Sequence, residues 1–178
     1  EGGHGGRPVR EGGCAVGRLD DRVAIVTGSG RGIGRATALR LARDGAAVVV
    51  NDIDPEPAGE TVALIEAEGG RAIAVVADTI QLDEAHRLTK AAVDEFGKLD
   101  IVVNNAGTTR DKMFHGMTDE LFDFVVDTNL RTAYHTTLAA MPYLREVAKA
   151  EIAATGKPAY HRKITFTSSV AALMGNPG

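Results

Sequence analysis

A cluster of glycines between an apolar strand and a helical pattern constrains this chain more than any other feature. The apolar run Val23-Ala24-Ile25-Val26 leads into Thr27-Gly28-Ser29-Gly30-Arg31-Gly32-Ile33-Gly34. Gly28 suits a tight strand-to-helix turn, Gly32 lets the main chain approach a phosphate, and Gly34 lets helix and strand pack closely. The helix start then offers unpaired N–H groups to an anion. The segment predicts a dinucleotide pyrophosphate site with these contact residues: Gly28, Ser29, Arg31, Gly32, Ile33 and Gly34.

An acidic residue at the end of the next apolar run extends this pattern. The run Val48-Val49-Val50-Asn51-Asp52 places Asp52 eighteen residues after Gly34, close to the roughly twenty at which an acidic side chain binds a ribose 2′-hydroxyl. Asp52 could instead cap a turn before Pro55. Its place after two consecutive apolar runs favours the ribose role, with Ile53 beside it.

Composition restricts the possible function classes. The 178 residues are 44% hydrophobic and 25% charged with a net charge of −4, which predicts one globular domain and argues against binding of nucleic acid. The sequence contains no run of eighteen apolar residues, so it predicts no membrane-spanning helix. It also contains no spacing of metal ligands that would predict a metal site. Cys14 is the only cysteine, so no disulfide can form within the chain. This fits a reducing compartment, and we expect the cytoplasm. Residues 1–18 are glycine-rich without apolar periodicity and predict a disordered leader before a domain at 19–178.

Strand-like and helix-like segments alternate after Arg22, which indicates a parallel sheet with helices on both faces. The predicted strands lie near 22–27, 47–51, 71–77, 100–104 and 162–168. The predicted helices lie near 33–44, 56–68, 81–96 and 118–149, and Pro142 should kink or break the last of them. The fold class is therefore α/β, a doubly wound parallel sheet of the Rossmann type with strand order 3-2-1-4-5. A P-loop hydrolase would need a Gly-Lys-Ser/Thr sequence that the glycine loop lacks.

Several separated motifs resemble those of the short-chain dehydrogenase/reductase family. The loop 27–34 is similar to the family's Thr-Gly-x-x-x-Gly-x-Gly, and Asn104-Asn105-Ala106-Gly107 to its Asn-Asn-Ala-Gly. Asn129 resembles the family's helix asparagine, and Ser168-Ser169 its strand-end serine. The resemblance covers about 20–178. Residues 105–111 look most like 3-oxoacyl-carrier-protein reductases and related 3-hydroxyacyl-CoA or hydroxysteroid dehydrogenases.

The resemblance implies an NAD(P)-dependent oxidoreductase that interconverts a secondary alcohol and a ketone, with a 3-oxoacyl thioester as one substrate class. It implies that Ser169 orients the substrate carbonyl and that Asn129 holds a water in a proton relay. Ser169 could also simply cap a strand end, and Asn129 could satisfy backbone groups at a helix kink. A homo-oligomer, either a dimer or a tetramer, is also implied. The remaining implied cofactor contacts are Asp78 and Thr79 at the adenine, and Asn105, Ala106 and Gly107 at the adjoining ribose.

Two charges disagree about the cofactor. Arg31 would attract the 2′-phosphate of NADP, whereas Asp52 would bind an unmodified ribose and repel that phosphate. Ile53 adds no compensating cation, so we predict NAD, with NADP as second choice.

One family motif does not appear in this sequence. The family's Tyr-x-x-x-Lys should begin about thirteen residues after Ser169, beyond Gly178. Tyr160 and Lys163 are three apart and precede the serine strand, so they do not match it. We therefore expect 19–178 to be a C-terminally incomplete cofactor domain that is inactive alone. The alternative is a dinucleotide-binding regulator or scaffold without turnover.

Overall fold

Five parallel strands form one sheet in the computed structural model, which describes residues 17–175. Their order is β3-β2-β1-β4-β5, which confirms the predicted order 3-2-1-4-5. The strands are β1 (Val23–Val26), β2 (Ala47–Asp52), β3 (Arg71–Val76), β4 (Ile101–Asn104) and β5 (Lys163–Phe166). Most of the predicted leader at 1–18, with Cys14, lies outside the described residues.

Helices connect the strands on both faces of the sheet. They are α1 (Gly32–Arg43), α2 (Pro55–Ala67), α3 (Leu82–Phe96), α4 (Asp119–Val126), α5 (Thr132–Met141), α6 (Val147–Thr155) and α7 (Ala171–Met174). A single 3-10 turn, Phe114–Gly116, precedes α4. The third helix ends at Gly97 in the left-handed conformation with φ of 79°, a conformation that glycine adopts at low cost.

The long helical segment differs from the prediction for 118–149. Two π-helical turns, Asp127–Arg131 and Pro142–Glu146, join α4, α5 and α6 into one helical path that reaches Thr155. Pro142 has no N–H for an ordinary helical bond, and it stands at the first position of a wider turn. The wider turn replaces the predicted break, and the helix extends beyond residue 149.

Apolar side chains pack on both faces of the sheet, as a doubly wound fold requires. Ile25 and Val49 belong to a buried cluster with Leu88 of α3 and Ala140 of α5. Side chains of the opposite face form a second cluster with residues of α1 and α2: Val26, Val48, Val50, Ala38, Ala58 and Ile65. Both clusters fix the carboxyl ends of β1, β2 and β4 at one edge of the sheet. Within the described part of the chain, no helix is long and apolar enough to cross a membrane.

The opposite edge of the sheet carries a cluster of cations around Tyr160. The guanidinium carbon of Arg22 lies 3.7 Å from the centre of the Tyr160 ring, and that of Arg162 lies 4.6 Å away. Arg162 donates two hydrogen bonds to the Glu151 carboxylate at 2.8 and 3.0 Å. This pair fastens α6 to the segment that enters β5, and hydrogen bonding to Arg162 lowers the pKa of Glu151 to about 2.

We expect the Glu151→Gln variant to be less stable than the wild type at neutral pH, with a pH dependence that identifies the cause. The folded-state pKa lies below the ordinary value of 4.5, so the ionised carboxylate stabilises the fold above about pH 4.5 and this contribution is lost as pH falls through about 2. Urea unfolding of both proteins across this range should show the stability difference shrinking in acid. Glu66→Gln, which removes an exposed carboxylate without an ion-pair partner among residues 17–175, should leave stability almost unchanged. A difference that stays constant with pH would contradict this account.

Candidate functional site

The glycine loop makes a tight turn that only small residues permit. Gly28 has φ of 58°, and a Cβ there would lie 2.9 Å from the Cα of Ala106. A Cβ on Gly34 would lie 2.1 Å from the carbonyl oxygen of Gly28. Gly32 has φ of 54° but meets no atom within 4 Å, so it borders open space at the start of α1. The loop is therefore closed on its sheet side and open where an anion would approach.

The first turn of α1 has donors to offer in this open space. Arg31 is the N-cap residue, and its side chain makes no capping hydrogen bond to the helix. The first N–H groups of an α-helix have no partner within the helix and carry its positive dipole end. The N–H groups at the start of α1, beside Gly32, thus form an open cradle that suits the pyrophosphate of a dinucleotide.

A reciprocal set of hydrogen bonds joins this loop to the chain that leaves β4. The hydroxyl of Thr27 accepts hydrogen bonds from the N–H groups of Asn105 and Ala106, each at 3.0 Å. The Asn105 amide nitrogen donates to the carbonyl oxygens of Thr27 and Gly28 at 3.0 and 3.1 Å. We call these four bonds the Thr27–Asn105 latch. It holds together the ends of two neighbouring strands, where ligands bind in doubly wound sheets.

Two cavities lie on either side of the latch and share part of their walls. The smaller, of about 480 Å³, extends towards the ends of β2 and β3, and the larger, of about 1020 Å³, extends towards β5. Both are lined by Gly28 and residues 105–108. Predicted residues lining only the smaller cavity are Asp52, Ile53, Asp78 and Thr79. Those lining only the larger are Arg31, Gly32, Ile33, Gly34, Asn129 and Ser169.

Ser29 is the one predicted site residue that the structure does not bring to either cavity. Its side chain is fully buried, and its hydroxyl donates to the carbonyl oxygen of Val26 at 2.6 Å. A serine at this position of the turn satisfies a backbone acceptor, so its contribution is to the shape of the loop. Its hydroxyl does not face a ligand there.

Asp52 joins the loop to the smaller cavity. Its carboxylate accepts hydrogen bonds from the N–H of Gly30 at 2.8 Å and from the N–H of Asp54 at 3.2 Å. Each bond uses a different oxygen, and an ionised carboxylate accepts about four hydrogen bonds. Acceptor capacity therefore remains for the hydroxyl groups of a ribose.

Asn129 lies in the π-helical turn between α4 and α5. Its amide nitrogen donates to the carbonyl oxygens of Thr108 and Val125, each at 2.8 Å. Its amide oxygen accepts from the N–H of Thr108 at 3.2 Å. The structure thus shows the backbone-satisfying role that the sequence left open, and the proton-relay role stays a prediction. Single π turns occur frequently at functional sites.

Ser169 lines the larger cavity just after β5. The N–H of Ala171 donates to its hydroxyl oxygen at 3.2 Å. This bond leaves the hydroxyl proton available to a carbonyl oxygen in the cavity. Tyr160 lies at the opposite edge of the sheet, so it does not approach Ser169.

Sequence reasoning missed the polar residues behind the glycine loop. Arg35 donates to the carbonyl oxygen of Gly30 at 2.7 Å and to Glu60 at 2.7 Å. The hydroxyl of Thr61 lies 3.1 Å from the carbonyl oxygen of Ser29 and is fully buried. Thr61 shares the helical face of Ala58 and Ile65, so a polar residue in an apolar stripe was the available signal.

No group of three or more potential ligands for a metal occurs in residues 17–175.

Comparison with known proteins gives consistent matches. The family described as short chain dehydrogenase matches residues 22–178. A 3-oxoacyl-[acyl-carrier-protein] reductase of Synechocystis sp. is 42% identical over 161 residues, which cover 90% of this chain and 60% of the reductase. A short chain dehydrogenase from Mycobacterium avium superposes with a TM-score of 0.83 at 42% identity, over 91% of this chain and 57% of that structure.

A second solved structure is a 7 alpha-hydroxysteroid dehydrogenase complexed with NADH and 7-oxo glycochenodeoxycholic acid. It has a TM-score of 0.70 and 36% identity, over 74% of this chain and 51% of that structure. The chain spans 60% or less of the length of these proteins.

The Thr27–Asn105 latch should be important for stability. Thr27→Val keeps the shape of the side chain but leaves the N–H groups of Asn105 and Ala106 without an acceptor, which should cost about 1–3 kcal/mol. Urea unfolding measures this loss. Thr37→Val is the matched control, because its hydroxyl bonds only within α1, to the carbonyl oxygen of Ile33. Equal effects of the two substitutions would show that the latch has no special role.

Proposed function

We propose a function for this chain, which belongs to the short-chain dehydrogenase family. Its crevice binds a nicotinamide dinucleotide and serves the interconversion of a secondary alcohol and a ketone. The observation that carries the proposal is that the two cavities share Gly28 and residues 105–108 as a common wall, with the open start of α1 at Gly32 in the larger one. Asp52 lies at one end and Ser169 at the other. This separation suits a long ligand with a reactive group at one end.

The lining residues suggest how such a ligand would lie. Asp52 and Ile53 would hold the adenine-side ribose, with Asp78 and Thr79 beside the adenine. The start of α1 would hold the pyrophosphate, and the nicotinamide would extend into the larger cavity. When bound, the cofactor supplies or accepts the hydride.

Within the larger cavity, the protein's part is to position the reacting carbonyl. The Ser169 hydroxyl would donate a hydrogen bond to the carbonyl oxygen, where negative charge develops during reduction. Asn129 fixes the backbone at Thr108, and the free acceptor capacity of its amide oxygen supports the proposed water of a proton relay. Both residues thereby stand on the reactive side of the crevice.

Charge supports NAD over NADP. The Asp52 carboxylate accepts a hydrogen bond from the N–H of Gly30 in the glycine loop, and its negative charge would repel a 2′-phosphate. The hydroxysteroid dehydrogenase that superposes on this chain was solved with NADH. NADP remains the second choice.

The apolar rim of the larger cavity and the identity of the relatives favour a 3-oxoacyl thioester as substrate class. Leu130, Tyr134 and Phe166 line the cavity and are more than half exposed, so they could contact an acyl chain. We also propose a homo-oligomer, either a dimer or a tetramer, on the basis of the family alone. We retain the cytoplasm as the proposed location, on the strength of the single cysteine.

A dinucleotide-binding regulator without turnover is the second candidate. The two candidates differ in turnover and share dinucleotide binding, so both quantities must be measured.

We expect NADH to bind more tightly than NADPH, and Asp52→Asn to reduce that preference. The substitution removes the charge that repels the 2′-phosphate and one acceptor for ribose hydroxyls, so NADH affinity should fall about tenfold. Titration calorimetry with both dinucleotides gives the two dissociation constants. Tighter binding of NADPH by the wild type would contradict the charge argument.

We expect Ser169→Ala in the full-length protein to lower turnover of a 3-oxoacyl thioester about a hundredfold, because a donor to the developing oxyanion is lost. NADH affinity should stay near the wild-type value. Ser168→Ala is the neighbouring comparison and should lose far less turnover. If the wild type binds NADH but turns over no ketone or alcohol, the regulator hypothesis gains instead.

A further inference from the structure

Arg31 and Asp54 form an ion pair beside the glycine loop. The Arg31 Nη1 donates to Asp54 Oδ2 at 2.7 Å, and both side chains are at least half exposed. Arg31 lines the larger cavity, whereas Asp54 lines neither cavity. An exposed ion pair of this kind contributes little to stability. Its effect is on the charge that Arg31 presents to a ligand.

Asp54 stands at the start of α2, where an aspartate usually caps its own helix. Asp54 is the N-cap residue of α2, followed by Pro55, yet its carboxylate makes no capping hydrogen bond to that helix. Aspartate is among the preferred N-cap residues because its side chain usually accepts an N–H of the first turn. Here the carboxylate is directed across the chain to an arginine 23 residues earlier.

Asp52 adds to the negative charge around this pair. The N–H of Asp54 donates to Asp52 at 3.2 Å, so the two acidic residues belong to one turn. The hydrogen bond from Arg31 to Asp54 raises the pKa of Arg31, and the charges of Asp54, Asp52 and Glu60 act in the same direction. The guanidinium is thus already engaged by Asp54, next to a turn that carries a second carboxylate.

We propose that Asp54 is a positioning residue that holds Arg31 away from the 2′-position of the bound dinucleotide and thereby excludes a 2′-phosphate. The inference rests on the proposed function, because it assumes that the crevice binds a nicotinamide dinucleotide. Asp54 engages only Nη1 of Arg31, and the guanidinium has further N–H donors, so a 2′-phosphate that approached Arg31 would have to share it with Asp54. Asp54 would then face the phosphate as a nearby like charge, in addition to Asp52. Selectivity therefore depends on two acidic residues, one at the ribose and one acting through the arginine.

The test is a mutant cycle with binding as its readout. Asp54→Asn removes the charge and keeps a residue suited to the N-cap. It should tighten NADPH binding about tenfold and change NADH binding less than about twofold. Arg31→Gln should change the ratio of the two dissociation constants little while Asp54 is present. In the Asp54→Asn background, Arg31→Gln should abolish the gain.

Two controls separate this role from a structural one. Asp54→Glu retains the carboxylate and should keep the wild-type ratio. Glu68→Gln breaks a similar pair, formed with Arg43 at 2.6 Å outside both cavities, and should also keep that ratio. Circular dichroism establishes that each variant is folded. If Asp54→Asn does not fold, Arg31→Gln still tests the inference through its ratio of dissociation constants for NADH and NADPH.

The outcomes are distinct. If Asp54→Asn binds both dinucleotides with the wild-type ratio, Asp54 has no part in selectivity and the inference is overturned, while the proposed function stands. A large rise in the NADPH preference on Arg31→Gln alone would also overturn it. If the wild type and every variant bind neither NADH nor NADPH, the proposed function itself fails.

Discussion

The hydroxyl of Thr27 is the contact on which the site depends. Thr27 is 2% exposed, and its hydroxyl accepts hydrogen bonds from two N–H groups of the chain leaving β4, while Asn105 donates two hydrogen bonds to the chain leaving β1. Parallel neighbours diverge after their last ladder bond, so some such link is needed to keep their loops together. Because Gly28 has no side chain, Ala106 can approach its backbone. The common wall of both cavities follows from that approach.

The polar groups around the glycine loop divide into those already bonded and those left free. Ser29, Arg35 and Thr61 direct their side chains to backbone carbonyl oxygens and so fix the loop from behind. The start of α1 at Gly32 remains open. A site of this kind is organised before its ligand arrives, so less ordering has to accompany binding.

Much of the fold was predictable from local pattern. Apolar runs and helical periodicity located all five strands, and the Rossmann-type pattern of the glycine loop and Asp52 predicted the order 3-2-1-4-5. The spacing from Gly34 to Asp52 also located one end of the crevice. Contacts across the chain were not predictable in this way, because the bond from Arg31 to Asp54 and that from Asn129 to the carbonyl oxygen of Thr108 depend on how separate turns meet in space. The direction of the Ser29 hydroxyl, towards the carbonyl oxygen of Val26, was unpredictable for the same reason, since sequence position in a turn does not reveal which way a hydroxyl points.

The two ends of the crevice differ in their physical character. Around Asp52 the surroundings are acidic and hydrogen-bonded, so discrimination between dinucleotides would be electrostatic there under the proposed function. Around Ser169 the lining includes exposed apolar side chains such as Leu130 and Phe166, so burial of an apolar substrate would be the main attraction. The charged groups of the first end stand on the loops after β1 and β2, whereas Ser169 follows β5. Because these groups stand on separate loops, we expect substitutions at Asp52 to alter cofactor selectivity under the proposed function while leaving the Ser169 hydroxyl in place.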